Sequence, residues 1–388
     1  MSDAPVTPSP DASSAATNGT PADTTSTFGA SPPDASPHDS APAAPSSAPR
    51  PLAFEFHATG GEYFRIWIVN LLLSVVTLGI YSAWAKVRRL RYFYGHTSVD
   101  GGSFGYHASP IAILKGRLIA YAVVLVLAVL GQLAPLAASV LYLPLVMVMP
   151  IVLVRAFRFR AANTSYRGIR FGFDGVEADA YRVFLFWPMA VPFTLGLIYP
   201  LIAKVQREFF VNGSRHGRTP FTLVLPTGRV YRLYLLAAAG GLAWFAIAVS
   251  ILVGGAGAEA ADPSAPELGP RAVVAALMIY AGVGAVVVAV RTGFENLVWN
   301  HTTLDSHRFE SRLTARRMFW LYATNIVAIA GTLGLAVPWA RIRMARYRAD
   351  SLTLLPSGPI VSTADVGGAE EAATGAELSD AMDLDFGL

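Results

Sequence analysis

With 388 residues, 53% of them hydrophobic and only 14% charged, the chain lies far from a soluble domain, in which about a quarter of residues carry charge. The mean hydropathy of +0.45 agrees with a membrane composition. Cysteine is absent, which excludes a disulfide framework, a thiolate metal site and a cysteine nucleophile. The formal net charge of +4 would by itself suggest acidic partners, but its distribution along the chain carries a different meaning.

Residues 1–50 form a Pro, Ala, Ser and Thr tract whose only aromatic residue is Phe28. Such a composition cannot bury enough apolar surface to offset its ordering entropy, so the tract is expected to be disordered. It has neither the basic start nor the apolar core of a signal peptide, so insertion is expected to use an internal segment. Phe54-Glu55-Phe56 alternates like a short strand and ends at Gly60-Gly61. Seven apolar segments follow, at 64–85, 116–135, 136–154, 183–203, 233–254, 272–290 and 318–340, each approaching the ~20 residues that cross a hydrocarbon core. The second and third adjoin and read as a tight helical hairpin turning near 131–135. The fifth and sixth are separated by an acidic loop, 254–271, holding Glu259, Asp262 and Glu267. From Ser351 to Leu388 there are seven acidic residues and no basic ones, which reads as a disordered tail. The expected division is a tail over 1–50, a repeated membrane domain over 51–355 and an acidic tail over 356–388.

Two repeats organise the middle of the chain. The stretch TLGIYSAWAKVRRLRY, from Thr77, recurs as TLGLIYPLIAKVQREFF from Thr194 and as TLGLAVPWARIRMARY from Thr332. Between the apolar segments, residues 96–104 match 163–171 and 301–309 without gaps. Their Asp-Gly and Arg-Gly centres, flanked by Thr, Val, Tyr and Phe, predict β-hairpins.

Lys and Arg fall in five blocks, 86–117, 155–182, 204–232, 291–317 and 341–348, which hold 27 of the 30 in the chain. Basic residues in short loops mark the cytoplasmic side, yet seven simple crossings cannot put all five blocks on one side. Parity is restored if the three TLG segments start and end on the same face. Four crossings then remain, as two hairpins, with both termini inside. Lys86 lies only seven residues past Gly79, about 10 Å of helix, so a deep re-entrant bend would bury its charge. Shallow wedges in the cytoplasmic leaflet fit better; the alternative is seven spans with a broken charge rule. The expected fold is mainly α: a polytopic integral membrane helical bundle with internal repeats and short β-hairpins on the cytoplasmic side.

Apart from Arg117 at the edge of the first, the stretches 116–154, 233–254 and 272–290 hold no Asp, Glu, Lys, Arg or His, which disfavours a proton- or ion-coupled pump. Asn70 and Asn325 each precede their TLG threonine by seven residues and read as interhelical hydrogen-bonding groups. Lys86, Arg88, Arg89 and Arg91, with Arg341, Arg343, Arg346 and Arg348, are candidates for phospholipid head groups, topology signalling and snorkelling being the alternative. Trp84 and Trp339 fit an interfacial belt. Thr77, Gly79, Thr194, Gly196, Thr332 and Gly334 are assigned to a structural turn whose glycine meets a backbone demand. His96, His107, His301 and His307 lack i,i+4 spacing on a helix, and no G-x-S-x-G, H-E-x-x-H or P-loop occurs. No catalytic, cofactor or metal site is therefore assigned.

At GEYFRIWIVN, TLGIYSAWAKVRRLRY and NTSYRGIRFGF the chain resembles the YjgN-type family of bacterial inner-membrane proteins, over about Phe54 to Leu355. The resemblance implies a multi-pass inner-membrane protein and carries no established activity. The middle TLG copy departs most, with Gln206 and Phe209 where the others have Arg. The function expected is non-catalytic, organising lipid or a partner; the alternative is a solute transporter or channel built from repeats. The partners expected are membrane lipids, anionic ones included, and not nucleic acid. The oligomeric state is left open.

Overall fold

A computed structural model describes residues 50–253 and 270–358. The N-terminal tract, the acidic loop and the acidic tail of the sequence reading lie outside the described residues, except for a few residues at their edges.

Ten short strands close into one antiparallel barrel. In chain order they are β1 (Leu52–Phe56), β2 (Thr97–Val99), β3 (Gly102–Tyr106), β4 (Thr164–Tyr166), β5 (Ile169–Phe173), β6 (Ser214–His216), β7 (Thr219–Leu223), β8 (Thr302–Leu304), β9 (His307–Ser311) and β10 (Leu352–Leu355). Each strand pairs with its sequence neighbour, and β1 closes the circle against β10 through Leu52 and Leu354. This corrects the expectation of a helical bundle carrying short separate hairpins. A hairpin of one three-residue and one five-residue strand is not stable alone, and its free edges would invite foreign pairing. Joining four such hairpins and the β1–β10 pair edge to edge satisfies every edge.

The chain leaves and re-enters the barrel through five helical pairs. The first is α1 (Gly60–Val76) with α2 (Ser82–Gly95), and the second α3 (Pro110–Leu133) with α4 (Pro135–Ala162). The third has a broken first arm. It comprises α5 (Glu177–Tyr181), a π turn over Arg182–Phe186 and the short α6 (Trp187–Met189), followed by the return helix α7 (Tyr199–Asn212). The fourth is α8 (Thr227–Val253) with α9 (Pro270–His301), and the last α10 (Ala315–Gly331) with α11 (Val337–Asp350). Only α3, α4, α8 and α9 among the described helices are long and apolar enough to cross a membrane. Because the barrel is antiparallel, all ten helix junctions lie on one rim. The four tight turns and the two ends of the domain lie on the other.

Local chemistry explains these joints. Thr59 caps α1, its hydroxyl accepting from the Glu62 amide at 3.4 Å, a T-x-x-E capping pattern. At four helix-to-strand junctions a buried hydroxyl donates to the carbonyl four residues back. The pairs are Thr97 to Phe93 at 2.9 Å, Thr164 to Arg160 at 3.0 Å, Ser214 to Phe210 at 2.8 Å and Thr302 to Val298 at 2.7 Å. Asp100-Gly101 and Arg167-Gly168 turn their hairpins with positive φ at both residues, the two-residue geometry that matches strand twist.

One inward layer takes a residue from every strand. Phe54 faces Val99, Phe104 faces Tyr166, Phe171 faces His216, Phe221 faces Leu304 and Phe309 faces Leu354. All five odd-numbered strands thus contribute phenylalanine. Phe171 and Phe221 stack with centroids 6.3 Å apart, and Phe54 and Phe104 at 6.4 Å. The barrel is a packed aromatic core.

Candidate functional site: the TLG turns and the barrel mouth

The three TLG segments each form a helix–turn–helix whose tip is the repeated tripeptide. Leu78, Leu195 and Leu333 are left-handed, with φ near +50°, and are 94%, 92% and 95% exposed. The glycines that follow have φ of 90°, 81° and 94°. Each glycine amide reaches back five residues: Gly79 to the Ser74 carbonyl at 2.7 Å, Gly196 to Val191 at 3.0 Å and Gly334 to Ile329 at 2.8 Å. This is the Schellman closure of a helix C-terminus. The threonine serves both arms. Thr77 donates to the Leu73 carbonyl at 2.7 Å and accepts from the Tyr81 amide at 2.9 Å. Thr332 repeats this with Ala328 at 2.7 Å and Ala336 at 2.9 Å. Thr194 donates to the Ala190 carbonyl at 3.1 Å.

The basic rows on the returning arms divide. Lys86 is buried, whereas Arg88 and Arg91 are exposed and Arg89 is partly so. Arg91 donates to the Tyr106 carbonyl at 3.3 Å. In the last arm Arg341 donates to the Tyr63 hydroxyl at 3.1 Å, Arg346 to the Ala58 carbonyl at 2.9 Å and Arg343 to Thr324 Oγ1 at 2.8 Å. Much of this charge is therefore engaged by protein oxygens, and two of these contacts join the last helical pair to the first. Trp339 packs beside Phe64, centroids 5.1 Å apart, and over Gly60, where a Cβ would collide with the indole. Trp84 stacks on Tyr81 at 6.1 Å. Asn325 lies between its two arms, its amide donating to the Ala340 carbonyl at 3.4 Å; Asn70 is buried with its Oδ1 unpartnered.

A second constellation, which the sequence reading did not single out, sits where the helices meet the barrel. A cavity of about 140 Å³ extends from the aromatic layer to the side chains of Arg160, Arg207, Glu295 and Arg348. Arg348 Nη2 lies 3.2 Å from Glu295 Oε1, and Arg160 is only 8% exposed. Deeper in, burial pushes the His216 imidazole below its ordinary pKa, and its Nε2 faces the Tyr166 carbonyl at 3.4 Å. Burial raises the Tyr166 hydroxyl, which donates to the Val99 carbonyl at 2.9 Å. Arg348 belonged to a basic row in the sequence; Arg160, Arg207, Glu295 and His216 become visible once the five units are aligned on Thr97, Thr164, Ser214, Thr302 and Leu352, the first strand residue after each helical pair. Among the described residues no three His, Asp or Glu side chains gather as a metal site.

The chain is 24% identical over 342 residues to the inner membrane protein YjgN of Salmonella typhimurium, covering 76% of this chain and 86% of the relative. It is 25% identical over 354 residues to the inner membrane protein YjgN of Escherichia coli K12, covering 78% and 88%. No solved structure matches. The expected inner-membrane location stands on these relatives together with the four long apolar helices. The family model described as bacterial protein of unknown function (DUF898) matches residues 51–381, and the chain belongs to that family.

Proposed function

We propose that the protein is a non-catalytic, multi-pass membrane element that organises lipid in one leaflet. Two helical hairpins cross the bilayer, three wedges dip into the near leaflet, and the barrel and both termini lie in the cytoplasm. The observation that carries this reading is the leucine at each tip. A left-handed backbone costs an L-residue about 1–2 kcal/mol, and asparagine or glycine would suit it better in water. Three exposed leucines in that conformation make sense where hydrocarbon surrounds them, since burying such a side chain recovers about 2 kcal/mol.

Dimensions agree. The return arms α2, α7 and α11 have 14 residues each, about 21 Å of helix against a core of about 30 Å. The basic blocks adjoin the rim where all helices begin and end, as the positive-inside rule favours for a cytoplasmic face. The ten inward side chains pack across the barrel beneath the cavity at its mouth, which speaks against a conducting lumen through it.

The test uses the cysteine-free background. Single cysteines at Leu78, Leu195 and Leu333, labelled with an environment-sensitive fluorophore in reconstituted vesicles, are read with lipids carrying quenchers at graded depths. All three labels should sit in hydrocarbon on the same side of the midplane. Quenching by aqueous iodide, or depths on opposite sides of the midplane, would refute the wedge.

A further inference from the structure

We propose that the barrel mouth is a binding site for a small organic anion, one carboxylate-like group joined to an apolar body of about six to eight non-hydrogen atoms. The size follows from the cavity. Its volume of about 140 Å³ is close to that of a buried apolar cavity, about 150 Å³, that holds benzene. Phenylalanines of the inward layer form its floor and Trp299 part of its wall.

The charge follows from the mouth. Three guanidiniums, of Arg160, Arg207 and Arg348, face one carboxylate, Glu295, around the same cavity. The lining therefore carries three positive groups and one negative group against aromatic walls. Arg348 spends one edge on Glu295, yet its Nε is buried without a partner. A guanidinium presents a planar fork that fits a carboxylate with two parallel N–H bonds.

These charges also break the repeat. Arg160 and Arg348 stand four residues before Thr164 and Leu352, where the other three units have Phe93, Phe210 and Val298. Arg207 and Glu295 stand seven before Ser214 and Thr302, where the others have Leu90, Phe157 and Ala345. The apolar residues of the sister units serve the same fold, so architecture alone does not require the charged ones. A departure from local consistency of this kind marks a functional position.

An anion with an apolar body has two sources, a free small acid or a lipid of the bilayer. The cavity holds a benzoate-sized body and not a long acyl chain, so the inference is the free acid. Full-length protein in a neutral maltoside detergent is titrated with benzoate, benzyl alcohol, benzylammonium, palmitate and phosphatidylglycerol, following the melting temperature. Benzoate should raise it saturably by several degrees, and at least tenfold lower concentrations should suffice than for benzyl alcohol. Benzylammonium should be inert. Nitrobenzoate should quench part of the tryptophan emission, and Trp299→Phe should abolish that part while keeping the thermal shift. Arg348→Gln should remove the preference of benzoate over benzyl alcohol; the ligand series on the unaltered protein decides the matter even where that variant does not fold. Equal responses to benzoate and benzylammonium, no saturable response to benzoate, or a response to palmitate or phosphatidylglycerol alone would each overturn the proposal.

Discussion

Arg341 in the last helical pair donates a hydrogen bond to the hydroxyl of Tyr63 in the first, 3.1 Å away and 278 positions earlier in the chain. Tyr63 is only 1% exposed and lies edge-on to Phe93, centroids 4.9 Å apart. With Arg346 on the Ala58 carbonyl, the contact closes the circle of helices as β1 and β10 close the circle of strands. A double-mutant cycle of Tyr63→Phe and Arg341→Gln should therefore show positive coupling. Melting in detergent should give each single change a loss of about 1–2 kcal/mol, and the double change less than their sum. Strict additivity would mean that the bond contributes nothing.

The TLG tips make a prediction whose sign depends on what surrounds them. Gly79 and Gly334 have φ of 90° and 94° with open space where a Cβ would go, so backbone strain alone decides the effect. Gly79→Ala should destabilise by about 1 kcal/mol and Gly79→Val by more. Leu78→Asn should relieve strain in a polar environment but lose burial in hydrocarbon, which a detergent micelle supplies as a bilayer does. It should lower stability in both. Unchanged or raised melting in both would place the tip in water.

Orientation is accessible by chemistry. Ser103 in β3, and Arg218 and Ser306 at the turns of the barrel, are exposed, and cysteines there should resist an impermeant thiol reagent in intact cells. Gln132, at the exposed end of α3, should react once the outer envelope is opened. Ser214 is unsuitable because its side chain is buried beneath the α7 terminus. Labelling of Ser306 without Gln132 would invert the topology.

His216 gives a pH dependence. Its folded pKa is depressed by burial from the ordinary 6.5, so the unfolded chain takes up the proton first as pH falls. The stability of the neutral ring is complete above about pH 6.5 and declines below it until the folded pKa is reached. His216→Leu, which matches the residue type opposite Phe221 and Phe309, should flatten the difference in melting temperature between pH 7 and pH 5. An unchanged slope would exclude the histidine as its source.

Gly282 in α9 lies under Trp244 of α8, whose indole N–H donates to the Met278 carbonyl at 2.7 Å. A Cβ there would collide with the indole. Gly282→Ala should lower the melting temperature by several degrees, and Trp244→Leu in the same chain should recover part of the loss. Gly284, with open space around it, should accept alanine without cost.

The helical pairs were largely legible in the sequence and the barrel was not. Apolar runs of about twenty residues and the TLG punctuation are strong local signals, and the break after Val76 falls where the tripeptide predicts a bend. Strands of three residues, by contrast, are too short to show alternation. The hairpin at Ser214–Leu223 escaped because its Gly217-Arg218 turn reverses the Asp-Gly order and Pro220 interrupts the run. The β1–β10 pair escaped because its halves stand at opposite ends of the domain. Closure is a property of all five pairs in register, which no single window contains. The cavity charges were hidden for a related reason: on separate helices they read as ordinary members of basic loops, and their shared address appears only when the units are superposed on Thr97, Thr164, Ser214, Thr302 and Leu352.

The pairing of β1 with β10 imposes an order on biosynthesis. As the chain emerges, each completed unit adds two strands to a growing arc, and one edge stays open until Leu352–Leu355 has left the ribosome. The nascent protein therefore spends nearly the whole of translation as an unclosed crescent already tethered by its apolar helices. A chain truncated before β10 should be aggregation-prone even though every helix is present. The same geometry makes the seam movable. Opening the chain at Asp305-Ser306 and linking residue 358 to residue 50 would transfer the late-closing edge to β8 and β9 while preserving every native pairing, so the place where this barrel seals last is a matter of chain connectivity and not of architecture.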